Sequence, residues 1–539
     1  MAEHGGGMAW RALEGSAGLL IAAMTALVAF QVFARYVVNY TLPWSEELSR
    51  YVFLWASFLG AGVALGRRAH LGVDSLVTRL PDAARTFLER VVVVVVGAFA
   101  LLLGYQGLAL LPALLTQRSP TMGLPVVFIF AAVPAAALIL VWLQARALLR
   151  ERREASAWIA LGVVIAAAAA LAAIGGAGRV PPAALVLVLL GVLVLLIAIH
   201  TPIAFAVGLS CVVYLLLKQD IPLVVVPHRA ISGMDSFLLL AIPLFILAGD
   251  LMNTGGITER LVGFARSLVG HVRGGLGMSA VVGEYFFSGI SGSSAADVSA
   301  IGSLLIPSMQ RAGYRTELAV SIVSAASAMG VLVPPCLLMV ILASLTDLSV
   351  AALFMAGFLP AAAMALILLS LIYIQARREG LPREPRPSLG EVLRAFARSA
   401  LPLLAPVIIL GGILAGIVTP TEAAVLAVLY ALLLGMGVYR EIRLRDLLPI
   451  FVSTASLTGM VMFLVGTASV LSWILAAEGV PLLLGSWVLS LSNNPAPFLL
   501  LTILVFLVLG AVLEGLPALI ILAPIFFPVV SRFGIDPLH

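Results

Sequence analysis

The sequence predicts an all-α polytopic membrane protein, and three observations carry that reading. Of 539 residues, 62% are hydrophobic and 11% charged, with mean hydropathy +1.15; soluble domains hold about 45–50% apolar and about 25% charged residues. The apolar runs reach the ~20 residues that cross a bilayer, enough for roughly 13 to 16 full or partial spans. Those runs are Leu, Val, Ile and Ala without strict alternation, which favours helices over an outer-membrane barrel. Soluble enzyme, disordered and collagen-like classes are excluded by the same arithmetic.

Four apolar segments come first, near 15–38, 48–66, 88–114 and 124–148. The first, between Arg11 and Arg35, is long enough to span uncleaved. A polar stretch over 146–154 closes a four-helix module, residues 1–156. The Ala-rich run after it ends at Pro181-Pro182, so 157–182 reads as a linker helix and loop. A longer module, 183–539, is split by the Arg- and Pro-rich stretch 377–398 into halves near 183–378 and 398–539.

Those halves look related. The stretch from Phe237 to Gly249 lines up with Phe498 to Gly510, sharing Phe, three Leu, Ile, Phe and Gly in step. Thr201-Pro202 and the Ala-Val that follows likewise match Thr419-Pro420 and its Ala-Val. Many transporter folds are built from such internal repeats. With the N-terminus cytoplasmic, alternate crossings place all but seven of the 31 basic residues on the cytoplasmic side, a strong positive-inside bias. On that topology the two Phe-Leu-Leu-Leu helices run in opposite directions, so the repeat is inverted. The counterpart of Met278 falls at His539; the second repeat is therefore incomplete, and the natural chain is expected to continue past it.

The pI of 9.5 does not make this a nucleic-acid binder, because the Arg residues are spread through short loops. The single Lys, Lys218, is followed by Gln219, which excludes a Walker ATP site. Cys211 and Cys336 stand alone in apolar runs and read as small buried hydrophobes.

Three segments carry chemistry. The run from Gly283 to Asp297 interrupts a span with small polar residues, reading as helix, Gly/Ser tip and helix: a re-entrant hairpin, which is tolerated only against protein or water. Ser294 is expected to cap the second arm with Asp297 at capping-box spacing, leaving a positive helix end for a substrate carboxylate. An ionisable residue at that depth is a functional candidate by default. Second, Gly330-Val-Leu-Val-Pro334-Pro335 breaks a long helix. Two prolines remove two N–H donors and free carbonyls suited to a hard cation such as Na⁺. Third, Gly416-Ile-Val-Thr419-Pro420-Thr421-Glu422 makes a comparable break. Thr419 sits as N-cap, Pro420 at N1 and Glu422 at N3, with Gly416 and Thr421 left as oxygen ligands.

These residues resemble a family. The hairpin motif over 292–309, Gly313-Tyr314, the Gly-x-x-x-Pro-Pro of 330–335 and the Gly-x-x-Thr-Pro-Thr-Glu-Ala-Ala of 416–424 look like the large membrane subunit of tripartite ATP-independent periplasmic (TRAP) transporters. Gln31 to Tyr36, Trp44-Ser45-Glu46-Glu47, Trp55, His70, Leu80-Pro81 and Ser119-Pro120 look like its small subunit, in the order of a fusion. The resemblance implies an elevator-type, Na⁺-driven importer in the bacterial inner membrane, fed by a periplasmic substrate-binding protein that captures an organic acid such as sialic acid, a C4-dicarboxylate or another sugar acid. It places Ser293, Ser294 and Asp297 at the substrate. Around sodium it places Ser293, Gly330, Val333, Pro335, Gly416, Thr419 and Thr421. It also implies that the small-subunit residues brace a static scaffold. The family's second hairpin and second Pro-Pro break are not visible in this sequence.

The nearest rival is a two-component secondary carrier that needs no binding protein. An intramembrane aspartyl protease is the enzyme alternative, with Asp250 and Asp297 as its dyad. Such proteases carry Gly-x-Gly-Asp, however, and Asp250 follows Ala248-Gly249. Glu46 and Glu47 read as solvated acids of a helix's first turn, and His70 as an interfacial side chain.

Overall fold

A computed structural model describes residues 7–67, 69, 72, 77–150, 155–176, 181–291, 294–491 and 494–539. Among them nine helices are long and apolar enough to cross a membrane, and the one β feature is an isolated bridge between Arg118 and Pro125. The four segments of the first module become Met8–Phe33, Pro43–Gly66, Asp82–Leu114 and Ala132–Arg150. The linker run becomes the helix Ala155–Gly176. Shorter apolar helices, such as Pro182–Ala198, Ile203–Lys218 and Leu337–Thr346, account for the partial spans that the apolar runs imply.

The chain forms two compact units that do not follow its linear modules. One gathers Met1–Met24, Pro43–Ser236 and Ala455–Pro537; the other gathers Thr25–Leu42, Phe237–Thr454 and Leu538–His539.

In the first unit an aromatic cluster sits where four helices meet. Phe463 lies 5.0 Å from Phe205 and 6.4 Å from Phe58, and Phe99 lies 6.0 Å from Phe205 (ring centroids). Two helices touch there backbone to backbone. A Cβ on Gly60 would lie 2.1 Å from the Ala455 carbonyl oxygen, and one on Gly459 2.1 Å from the Ala61 nitrogen. Lipid supplies no hydrophobic drive between helices, so small residues that permit such approach hold them together.

Polar groups in this unit are paired over long sequence distances. Glu47 is buried at 2% exposure. Its carboxylate accepts from the Tyr51 hydroxyl at 2.9 Å and from the backbone N–H groups of Thr121 and Met122 at 2.8 and 3.2 Å. The solvated reading therefore holds for exposed Glu46 and fails for Glu47, which organises the 119–125 loop. His70 lies outside the described residues. Lys218 and Tyr214 both donate to Glu478, and Arg50 pairs with Asp235 at 3.0 Å.

In the second unit, Ala241–Thr254 packs on Pro420–Leu432, and the arms Gly275–Ser291 and Ser294–Arg311 pack on one another and on Thr316–Gly330. The amphipathic helix Ile257–Val269 turns its polar face to loop acids: Arg260 reaches Glu441 at 2.8 Å over the Tyr439 ring, and Arg266 pairs with Glu384. The Glu384 carboxylate beside it pushes the Arg266 guanidinium above its ordinary pKa.

Candidate functional site

The hairpin forms as two helices. Ser294 is the first helical residue of the second arm, with Asp297 in its first turn. Ser293 and the side chain of Ser294 lie outside what is described, and the capping assignment with them. Asp297 is buried at 1% exposure. Across the hairpin, Glu284 is fully buried and accepts a hydrogen bond from the Ser327 hydroxyl of Thr316–Gly330. Its second oxygen has no partner among the described residues, and Asp297 is the charge that acts on it.

The Pro-Pro segment breaks its helix, but the orphaned carbonyls are re-engaged. In a continuous helix the Gly330 and Val331 carbonyls would accept from residues 334 and 335, which as prolines have no N–H. Instead the Gly330 carbonyl accepts from the Val333 N–H at 3.1 Å, and the Val331 carbonyl accepts from the Cys336 thiol at 2.6 Å. Cys336 is thus a buried donor as well as a small hydrophobe. The Val333 carbonyl carries no backbone hydrogen bond among the described residues. The chain approaches closely here, since a Cβ on Gly357 would lie 2.8 Å from the Leu332 carbonyl oxygen.

The Thr-Pro segment forms as its sequence dictates. Gly416 takes φ +68°, which lets the preceding helix end. Thr419 then caps Pro420–Leu432 in a full capping box with Glu422, and Pro420 occupies N1. Thr421 is buried and donates its hydroxyl to the Phe237 carbonyl at 3.0 Å. Glu422, exposed only 2%, accepts from Arg35 at 2.9 Å and from the Tyr36 hydroxyl at 3.3 Å; Tyr36 also donates to the Ile417 carbonyl at 2.7 Å. The Gln31–Tyr36 motif is therefore pinned directly to this break.

A third interruption joins the other two. One helix ends at Met234 and the chain resumes as a short turn, Leu238–Leu240, ahead of Ala241–Thr254. That turn packs against both Leu337–Thr346, which leaves the Pro-Pro break, and Pro420–Leu432, which leaves the Thr-Pro break. Asp250 instead engages the Thr454 hydroxyl at 3.3 Å, and Asp297 is not among the groups that act on it. A protease dyad gains no support. Among the described residues no group of three His, Cys, Asp or Glu could hold a metal ion.

Sequence reasoning missed Glu284, Ser327, the Phe237 carbonyl and the Arg35–Glu422 pair. Two had a visible signal: an acid inside an apolar run at 284, and the polar pair Asp235-Ser236 between apolar segments. The other two depend on partners far away in sequence.

Comparison with known proteins covers nearly all of this chain. Residues 190–539 match the family described as tripartite ATP-independent periplasmic transporter, DctM component, and residues 24–154 match its DctQ component. The isethionate TRAP transporter permease protein DctMQ of Oleidesulfovibrio alaskensis is 33% identical over 96% of this chain and 83% of its own. The sialic acid TRAP transporter permease protein SiaT of Haemophilus influenzae is 29% identical over 96% and 86%. The C4-dicarboxylate TRAP transporter large permease protein DctM of Pseudomonas aeruginosa is 43% identical over 57% and 71%.

Proposed function

The chain belongs to the TRAP transporters, with small and large membrane subunits fused, and from that premise we propose that it is a sodium-driven importer of an organic acid. It is a membrane permease and not an enzyme. In this reading it sits in the bacterial inner membrane, receives its substrate from a periplasmic binding protein, and works by an elevator motion of the hairpin-bearing core.

One observation carries the reading: two broken helices converge on one turn, beside a hairpin with a buried acid. Irregular backbone at membrane depth survives where it lines a cavity or a bound ion. In this reading Gly330, Val333, Pro335, Gly416, Thr419 and Thr421 supply oxygens for Na⁺, together with Ser293. Ser293, Ser294 and Asp297 hold the substrate acid at the helix start. Order at the cation site then carries over to the hairpin, which couples the two ligands. Relatives named for isethionate, sialic acid and C4-dicarboxylates share an anionic group, and that is the class assigned here.

Uptake into proteoliposomes, with and without a Na⁺ gradient and the binding protein, tests this. Uptake should require both. Asp297→Asn should cut Na⁺-driven uptake roughly tenfold or more, about 1.4 kcal/mol of coupling, with membrane insertion intact. Full uptake without the binding protein would favour the two-component carrier; sodium-independent uptake would remove the cation assignment.

A further inference from the structure

We propose that Glu284 is a proton-binding site: a neutral carboxylic acid in the hairpin that holds one exchangeable proton. This rests on the reading of the hairpin as the substrate-binding element. Three observations place the site. Glu284 and Asp297 are both buried, at 0% and 1% exposure, on the two packed arms, and they act on one another electrostatically. One Glu284 oxygen is engaged by the Ser327 hydroxyl, whereas Oε2 has no hydrogen-bond partner among the described residues. And among the described residues no cation faces Glu284.

That last point follows from the elements packed on its helix, which are Ala241–Thr254, Ile257–Val269, Ser294–Arg311, Thr316–Gly330, Val350–Arg378 and Leu389–Leu414. Arg260 and Arg266 are taken up by Glu441 and Glu384, and Asp250 by Thr454. The remaining charged groups of these helices (Glu259, Arg311, Glu317, Arg377-Arg378, Glu391 and Arg394 with Arg398) are exposed. Among the described residues Asp297 is the one charged group that acts on Glu284.

Full burial with one oxygen unpartnered, and a second buried carboxyl group on the packed arm, disfavour the Glu284 anion, because desolvation and like charge both act against it. A proton on Oε2 removes that charge and turns the unpartnered acceptor into a donor. Ser327, meanwhile, lies three residues before Gly330, so the protonated acid is tied to the helix that runs into the Pro-Pro break. Proton exchange at Glu284 therefore needs water to reach a fully buried carboxyl group, and protonation acts at the same element that sodium and substrate are proposed to order.

Infrared difference spectroscopy on the purified full chain tests this without any gradient or binding protein, so its outcome is separate from whether transport is sodium-driven. The wild type at neutral pH should show the carbonyl stretch of a protonated carboxylic acid, lost in Glu284→Gln and kept in Asp250→Asn. Ser327→Ala, which leaves the acid in place, should shift that band by removing its hydrogen-bond donor; it serves as the second variant if Glu284→Gln does not fold. In uptake assays the wild type should lose rate as pH rises through loss of this proton, and Glu284→Gln should be flat over the same range. A wild type without the band, or a band unchanged in Glu284→Gln and Ser327→Ala alike, overturns the proposal.

Discussion

Thr421 and Phe237, far apart in the chain, are joined by a 3.0 Å hydrogen bond from hydroxyl to carbonyl. The bond ties the first turn of one helix to the interruption that precedes another. It gives Thr421 a definite task whether or not a cation is bound, since an unpaired buried carbonyl is costly in a membrane. The Phe237 carbonyl also accepts from the Leu240 N–H at 3.2 Å, so its loss of the threonine is partial. Thr421→Val, which keeps the shape, should lower stability by about 1 kcal/mol, read as a fall in melting temperature in detergent. Thr421→Ser should restore it. A sodium dependence of uptake that weakens in Val and recovers in Ser would favour the cation role as well; one unchanged in both would leave Thr421 as a tether.

Arg35 and Glu422 form the second testable pair. Glu422 is buried, while the Arg35 side chain is half exposed at 50%, so water screens the guanidinium and the pair is worth less than a fully buried one. Two other groups also donate to the Glu422 carboxylate: the Tyr36 hydroxyl and the Thr419 N–H of its capping box. Arg35→Ala should cost about 1–2 kcal/mol. A double-mutant cycle with Glu422→Gln should show coupling, because removing the charge removes most of the penalty for losing its partner. Additive effects on thermal stability would show that the pair contributes nothing.

Glu47 offers a third test, on the loop it holds. Its carboxylate accepts two backbone N–H groups at the 119–125 turn, bonds to a charged acceptor worth about 1.5–3 kcal/mol each before competing terms. Glu47→Gln keeps one acceptor oxygen but removes the charge that strengthens these bonds. The variant should become sensitive to protease at 119–125 while Glu46→Gln, at an exposed position, stays resistant. Equal resistance in the two would return Glu47 to the solvated reading.

What was legible in the sequence follows from how local its causes are. Span number and position depend on run length, and the four helices of the first module lie close to where apolar runs put them. The Pro-Pro and Thr-Pro breaks were legible because proline acts on its own helix; the whole capping box at Thr419–Glu422 is written within four residues. The fate of the carbonyls freed at Pro334-Pro335 was not, since it depends on a thiol at Cys336 that reads as one more apolar residue. Glu47 and Glu284 escaped for a different reason. Their partners lie 74 and 43 positions away, and only folding brings a second group to a buried acid.

The topology makes a fourth prediction. If loops 377–398 and 440–445 face the cytoplasm, as the Arg distribution implies, single cysteines there should escape an impermeant thiol reagent applied from the periplasm. The native Cys211 and Cys336 are both buried, so background labelling should be low. Efficient external labelling at 377–398 would overturn the inverted repeat.

Gly357 provides the most local test of the Pro-Pro break. It lies inside Val350–Arg378, where glycine weakens a helix by about 1 kcal/mol relative to alanine, so propensity alone makes Gly357→Ala stabilising. Packing predicts the reverse. The new Cβ would lie 2.4 Å from the Met339 methyl and 2.8 Å from the Leu332 carbonyl oxygen. The methionine is flexible and can move, but the carbonyl belongs to the backbone of the break and cannot yield without displacing it. Overpacking of this kind costs about 1–3 kcal/mol, which exceeds the helix gain at the upper end and at least cancels it at the lower. Gly411→Ala is the control, a helical glycine with nothing within 4 Å of its added Cβ, and it should be neutral or stabilising. Thermal unfolding in detergent separates the two variants, and the same preparations report on the site. If the 330–335 carbonyls bind sodium, Gly357→Ala should lose the sodium-dependent gain in melting temperature that the wild type and Gly411→Ala retain. Equal melting temperatures and equal sodium responses in both variants would mean that the break tolerates displacement, and that its carbonyls hold no ion in that geometry.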